Sequence, residues 1–390
     1  MKKYLKIILV AISVLFPIAF VIGFSKSWTS FETIIAAGST SVQPLMSALG
    51  DSYQSADVIV QPGGSSFGLK VAAENSKDLG NSSKNPYEAV QNASIEQNGF
   101  DKKMWETNWL KTITIAWDGI AIVYKPYNNN DPILTVSEKN IQLIYETFSG
   151  FKKHKLYELF NNSQNEINFF EKYKEDNNFI TPYSRSGGSQ ASGTAHSFAN
   201  ESDLDTNINN QDLIQSKKIL GNGSYGKNVV ATAESNIESW NRIKNDNKSN
   251  SMIYLSLGFV QKNKKIIEKS GYKIANYLNK NNEIVVPSIA NISNKKYMWF
   301  NPINTILPLK KATQKTKDFV WWMVSNANVN VLIEKFGYAS LMNEDKSKMF
   351  SQKIIDWNYI DNYKDDFFSE KSTDIELSVV NNIHSYGVPK

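Results

Sequence analysis

One arrangement occurs three times along this chain: a short β-prone run, a tight turn of glycine, serine and threonine, then an apolar-periodic helix start. "ETIIAA" (32–37) reads as a strand. Gly38, Ser39, Thr40 and Ser41 follow, and then Val42, Leu45, Met46, Leu49 and Tyr53 at helical spacing, with Pro44 tolerable in a first turn. "DVIVQ" (57–61) leads through "PGGSS" to Leu69, Ala72 and Ala73, and "NNFITPYS" (177–184) runs into "SRSGGSQASGTAHSF" (184–198), after which "TAHSFANE" reads as helix. Alternation of strand and helix predicts an α/β fold. A helix that starts on such a turn presents unpaired backbone N–H groups and a hydroxyl, and its dipole favours negative charge there. Three such ends on one chain predict a shared oxyanion site.

The third start carries an arginine. The chain holds 43 Lys plus Arg, and only Arg185 and Arg242 are arginine. Guanidinium is a planar fork that grips two oxygens at once, which ammonium does not do. Arg185, between a strand end and a helix start, is therefore the expected clamp. The hydroxyls of Thr40, Ser65, Ser83, Ser192 and Thr194 are candidates to donate to the remaining oxygens without adding charge.

Other chemistry is poorly supported. There are no cysteines, which removes disulfides, thiolate nucleophiles and cysteine zinc sites, and the three histidines, His154, His196 and His384, are too scattered for a metal site. "GNGSYG" (221–226) matches the dinucleotide fingerprint but lacks a clear preceding strand, so a glycine loop is the expectation. His196 beside several serines does not make a triad, and no G-x-S-x-G elbow occurs. No P-loop occurs, and a net charge of +5 without a basic stripe gives no support to nucleic-acid binding. No cofactor and no enzymatic step are expected.

At the N-terminus, "MKKY" precedes "LKIILVAISVLFPIAFVIGF", an apolar run of about the length that spans a bilayer. Lys2, Lys3 and Lys6 favour an inside N-terminus and an outside body. "GFSKSWTS" offers no clear cleavage site, so residues 1–27 are expected to be an uncleaved membrane anchor, with a cleaved signal as the alternative.

In these blocks the chain resembles the phosphate-binding protein of the high-affinity phosphate ABC transporter, a type II periplasmic-binding-protein fold. The resemblance rests on "AAGSTSVQPLMSAL" (36–49), "VQPGGSSFGLKVAAENSKDLGNSSKNP" (60–86), "IAWDGIAIVYKP" (115–126), "LTVSEKNIQLIYETFSG" (134–150), "SRSGGSQASGTAHSF" (184–198), "SMIYLSLGFVQ" (251–261) and "KDFVWWMVSNANVNVLIEKFGYASL" (317–341), seven blocks in the family's order over roughly 33–341. It implies two lobes with a ligand cleft between them: 33–117 plus 300–342 as lobe 1, 118–299 as lobe 2, and crossovers near 115–123 and 299–307. Residues 343–390 fall outside it, as an extension of no evident role.

Carried over by motif, the resemblance implies phosphate ligands at Thr40, Ser41, Ser65, Ser83, Arg185, Ser192, Gly193 and Thr194. Two departures stand out. Six residues separate Arg185 from Ser192 where the family usually has three, and the acidic residues by which some relatives accept a proton from hydrogen phosphate are absent at Ser83 and between Arg185 and Ser192. Asp118 in "WDGIA" is the expected acceptor, which would exclude fully ionised sulfate. The implied function is capture of inorganic phosphate outside the cytoplasm and delivery to the permease subunits, and through them the ATPase, of an ABC importer. The alternatives are a binder of sulfate or molybdate and, less favoured, a membrane-anchored phosphohydrolase.

Overall fold

The computed structural model describes residues 32–84, 107–160, 169, 171–352 and 354–374. The expected anchor, residues 1–27, lies outside them. Among the described residues, no helix is long and apolar enough to cross a membrane.

The first two strand–turn–helix units form as expected: β1 (Thr33–Gly38), α1 (Gln43–Ser52), β2 (Asp57–Pro62) and α2 (Ser65–Ala73), followed by β3 (Leu79–Ser82). β1 pairs in parallel with both β2 and β3. α2 lies so close to this sheet that a Cβ on Gly68 would meet the Asn81 carbonyl at 2.0 Å, and one on Gly80 the Gly68 carbonyl at 2.1 Å. Glycine there is a packing requirement.

The β-prone stretch near 112–126 becomes β4 (Leu110–Tyr124), in which every residue is buried. Its Thr/Ile/Val content suits a strand covered on both faces. Later come α3 (Ile141–Ser149), β5 (Thr181–Arg185), the short helix α4 (Gly188–Ala191), α5 (Gly193–Asn200), α6 (Gln211–Asn222), β6 (Val230–Thr232), α7 (Asn236–Asp246), β7 (Ser251–Ser256) and α8 (Leu257–Lys269). The chain returns through β8 (Phe300–Pro308) to α9 (Gln314–Ser325) and α10 (Ala327–Lys335). "IQSKKIL" lies within α6, and Gly223 caps that helix in the left-handed region, so "GNGSYG" is a helix C-terminus with no dinucleotide geometry.

The main sheet runs β2-β1-β3-β8-β4-β7-β5-β6. β4 joins its halves. Residues 110–119 pair antiparallel with β8, and residues 120–124 pair antiparallel with β7. Two apolar clusters sit on either side of this change of partner. One gathers Ile34, Leu45, Leu49, Ile113, Ile303, Phe319 and Val320, and the other Ile122, Tyr145, Phe148, Phe198, Tyr254 and Trp299. They are the cores of two lobes, below called lobe 1 and lobe 2.

Residues 343–374 belong to the first core. Met349, Phe350 and Phe367 are buried within it, and Trp321 meets the Phe350 and Phe367 rings edge-on. Lys111, fully buried at the start of β4, donates to the main-chain carbonyls of Met349 and Ser372 and lies 4.2 Å from the Phe367 ring. Asp374 accepts from the Thr112 amide at 2.6 Å and its hydroxyl at 2.7 Å. The extension is thus a strap across lobe 1.

Candidate functional site

Each helix start is shaped by its turn. Gly38 ends β1 at φ 141°, where a Cβ would strike the Asn81 carbonyl at 2.1 Å, and its own carbonyl receives the Gly63 and Gly64 amides. This leaves Ser39, Thr40 and Ser41 at the entry to α1 and Ser65 at the first position of α2. Ser192 caps α5 by accepting from the Ala195 amide at 3.2 Å, as a serine before a helix does.

The three starts meet across the lobes. The Ser41 and Thr194 hydroxyls are 2.9 Å apart. Ser83 lies 3.0 Å from the Ser39 hydroxyl and 3.1 Å from the Ser65 hydroxyl, which also accepts from the Ser83 amide. A Cβ on Gly193 would sit 1.9 Å from the Ser83 oxygen and 2.4 Å from the Ser65 oxygen, so only glycine brings α5 this close to lobe 1. Thr40 donates to the Glu234 carbonyl at 3.1 Å. Thr40, Ser41, Ser65, Ser83, Ser192, Gly193 and Thr194 therefore gather in one place.

Arg185 is 1% exposed, whereas Arg242 is a surface residue paired with Asp246 one turn away. Two tyrosines fix the Arg185 backbone: Tyr254 accepts from its amide at 2.9 Å and Tyr225 donates to its carbonyl at 2.7 Å. The guanidinium reaches the turn ahead of α7. Nη1 donates to the Ala233 carbonyl at 3.0 Å, the Ser235 carbonyl at 3.1 Å and the Ser239 hydroxyl, and Nη2 donates to Asn236 Oδ1 at 2.6 Å. Five N–H donors against these acceptors leave the Nε–H and one Nη2 hydrogen. Nε is buried without a partner. Any two-oxygen grip by Arg185 has to use that edge.

Asp118 is taken up by other donors. It is 2% exposed; Oδ1 accepts from the Gly119 amide at 2.9 Å and the Gly258 amide at 3.1 Å, and Oδ2 accepts from the Ser256 hydroxyl at 2.6 Å. Burial pushes its carboxyl up to about 6 in spite of those donors. Its contacts pin β4 to the start of α8 at the point where the chain changes lobes, and its donors Ser256 and Gly258 line a cavity together with Thr40 and Ser41.

Two charged residues not anticipated from the sequence reach the serine and threonine cluster. Glu234 follows β6, whose Thr232 is in register with Arg185. Burial pushes the Glu234 carboxyl up, against the pull of the Arg185 guanidinium, the Ser192 hydroxyl and Lys84; Oε1 is buried without a partner. Lys84, directly after Ser83, is nine-tenths buried, and burial brings its amine down to about 8 against the attraction of Glu234. The only sequence signal for Glu234 is an acid just past a three-residue strand, too short to stand out from the surrounding polar chain.

The family model described as the PBP superfamily domain matches residues 26–327. An uncharacterised lipoprotein of Mycoplasma genitalium is 32% identical over 84% of this chain and 88% of its own length. Among solved structures, a putative phosphate ABC transporter substrate-binding protein from Clostridium perfringens, with bound phosphate, superposes with a TM-score of 0.54 at 17% identity, covering 80% of this chain and all of that one. An ABC-type phosphate transport receptor from Vibrio cholerae gives 0.51 at 19% identity over 79% of this chain and all of its own. By the family model, which matches more than half of it, this chain belongs to the PBP superfamily.

Proposed function

We propose that the protein is the substrate-binding component of an ABC importer and that it holds inorganic phosphate between its lobes. The observation that supports this most is the convergence of three helix starts from both lobes on one point, beside a buried Arg185 Nε and a buried Glu234 Oε1 that lack protein partners. Hydroxyls and helix N-termini donate to anionic oxygens, and Arg185 supplies the charge. Thr40, Ser41, Ser65, Ser83, Arg185, Ser192, Gly193 and Thr194 are the ligands in this reading. No bond is made or broken; the ligand is bound, and the lobes close on it.

Glu234, in place of Asp118, is the proton acceptor of this reading. Hydrogen phosphate offers an O–H to a carboxylate, whereas fully ionised sulfate offers only lone pairs. The Asp118 oxygens already take three donors, while Glu234 Oε1 takes none. Glu234→Gln is expected to weaken phosphate binding and to cut the preference for phosphate over sulfate by at least about tenfold, the scale of one charge-assisted bond. Competition titrations of the two anions check this; unchanged discrimination removes Glu234 from the role. Because protonation removes the charge that makes the Glu234 carboxylate a strong acceptor, phosphate binding by the wild-type protein should also weaken as pH falls through the raised Glu234 value.

In this reading the body lies outside the cytoplasm and residues 1–27 hold it at the membrane. The Mycoplasma genitalium relative is a lipoprotein. This chain has no cysteine to carry a thioether-linked lipid, so the apolar N-terminal run would serve as the tether. Permease subunits, and through them the ATPase, are the partners in this reading.

A further inference from the structure

The six residues between Arg185 and Ser192 are built as a rigid projection. Gly187 and Gly188 both take left-handed φ, 74° and 60°. A Cβ on Gly188 would meet the Leu220 carbonyl at 2.3 Å and the Gly223 amide at 2.6 Å, so the loop is wedged against the end of α6. The short helix α4 then turns its last carbonyls toward lobe 1. The Ala191 carbonyl would lie 3.3 Å from a Cβ on Gly64. The Gln190 carbonyl accepts from the Ser66 hydroxyl and, at 2.7 Å, from Lys84 Nζ, which also donates to Ser66 Oγ at 3.0 Å. The Lys84 backbone is itself held, its amide by Ser82 Oγ at 3.1 Å and its carbonyl by Asn304 Nδ2 at 2.9 Å.

We propose that Lys84 is a latch: its ammonium, fixed on lobe 1, holds the Gln190 carbonyl of the enlarged loop and so keeps the two lobes closed over the anion site. The proposal rests on the interlobe-cleft reading above and assigns a role to the extra residues of the loop. The latch consists of protein groups alone, so it acts on closure whether or not an anion is bound. A charge-assisted bond to a main-chain carbonyl is stronger than the neutral hydroxyl contacts around it. Lys84 is a positioning residue, since it acts through the loop and not on the ligand.

A latch on the closed form slows ligand release, and because it also closes the empty cleft it does not speed ligand entry. Lys84→Met is expected to speed phosphate release about ten- to hundredfold in stopped-flow measurements, with association no slower than in the wild type. Ser66→Ala should shift release the same way by less. Gln190→Ala should leave it unchanged, because the acceptor is main chain. A second readout needs no phosphate. The cysteine-free chain allows a label pair at Glu74→Cys and Lys244→Cys, one on each lobe and both exposed. The interlobe distance distribution of the anion-free protein should then lose closed population in Lys84→Met. Wild-type release rates and distances in Lys84→Met would overturn the latch. A wild-type protein that binds no phosphate would sink the phosphate reading alone, and the distance distribution would still decide the latch.

Discussion

Arg185→Lys is expected to weaken phosphate binding by about a hundredfold or more and to lower the melting temperature as well. The guanidinium satisfies two main-chain carbonyls, Asn236 Oδ1 and the Ser239 hydroxyl from a nearly fully buried position. An ammonium has three donors and no planar fork. Lysine at 185 therefore leaves either some of these acceptors or the anion without a partner, and each buried group so stranded costs about 1–3 kcal/mol. Three of those kilocalories amount to roughly a hundredfold in affinity. Arg242→Lys, on the surface, is the control and should change neither quantity. Isothermal titration and thermal melts check both effects. Near-wild-type affinity in Arg185→Lys would remove Arg185 from the clamp.

The other large effect concerns the strap. A chain ending at residue 342 should fail to accumulate as folded protein, because Met349, Phe350 and Phe367 fill the lobe 1 core. Truncating one buried phenylalanine costs about 3–5 kcal/mol, and the whole domain is stable by about 5–15 kcal/mol. The graded version is Phe367→Ala in the full chain, which should lose about 3–5 kcal/mol in denaturant melts. A chain ending at 342 that melts like the full chain would show the strap to be an ornament. Lys111 adds a pH signature. Burial lowers its amine below the ordinary lysine value, so the unfolded chain holds more protons between the two values. Its contribution to stability therefore rises with pH across that window and is at its least favourable below it.

How much of this could be read in advance follows the range of the interactions. The three turns were legible because their causes are local: glycine where φ is positive or backbones touch, and hydroxyls where helix amides need acceptors. Gly38 shows the first cause and Ser192 the second. The rarity of arginine also singled out Arg185. What its guanidinium would hold was not legible, because Ala233, Ser235, Asn236 and Ser239 come from a strand end and helix start some fifty positions on. Lys84 and Glu234 were missed for the same reason. Each looks like an ordinary surface charge in its own stretch, and only the pairing of β5 with β6 and of β3 with β8 carries them to the cleft. Asp118 was legible as unusual, a carboxylate inside a β-prone run. Its task at the lobe crossing depends on β7 and α8, far along the chain. The strap was opaque because aromatic residues in polar sequence have no period that names their partner.

Titration of inorganic phosphate into the protein, with sulfate as competitor, decides whether the cleft is a phosphate site. One phosphate per chain is expected to bind with a dissociation constant in the micromolar range or tighter, little displaced by sulfate. Absent or millimolar phosphate binding, or sulfate binding of equal strength, would contradict the phosphate reading.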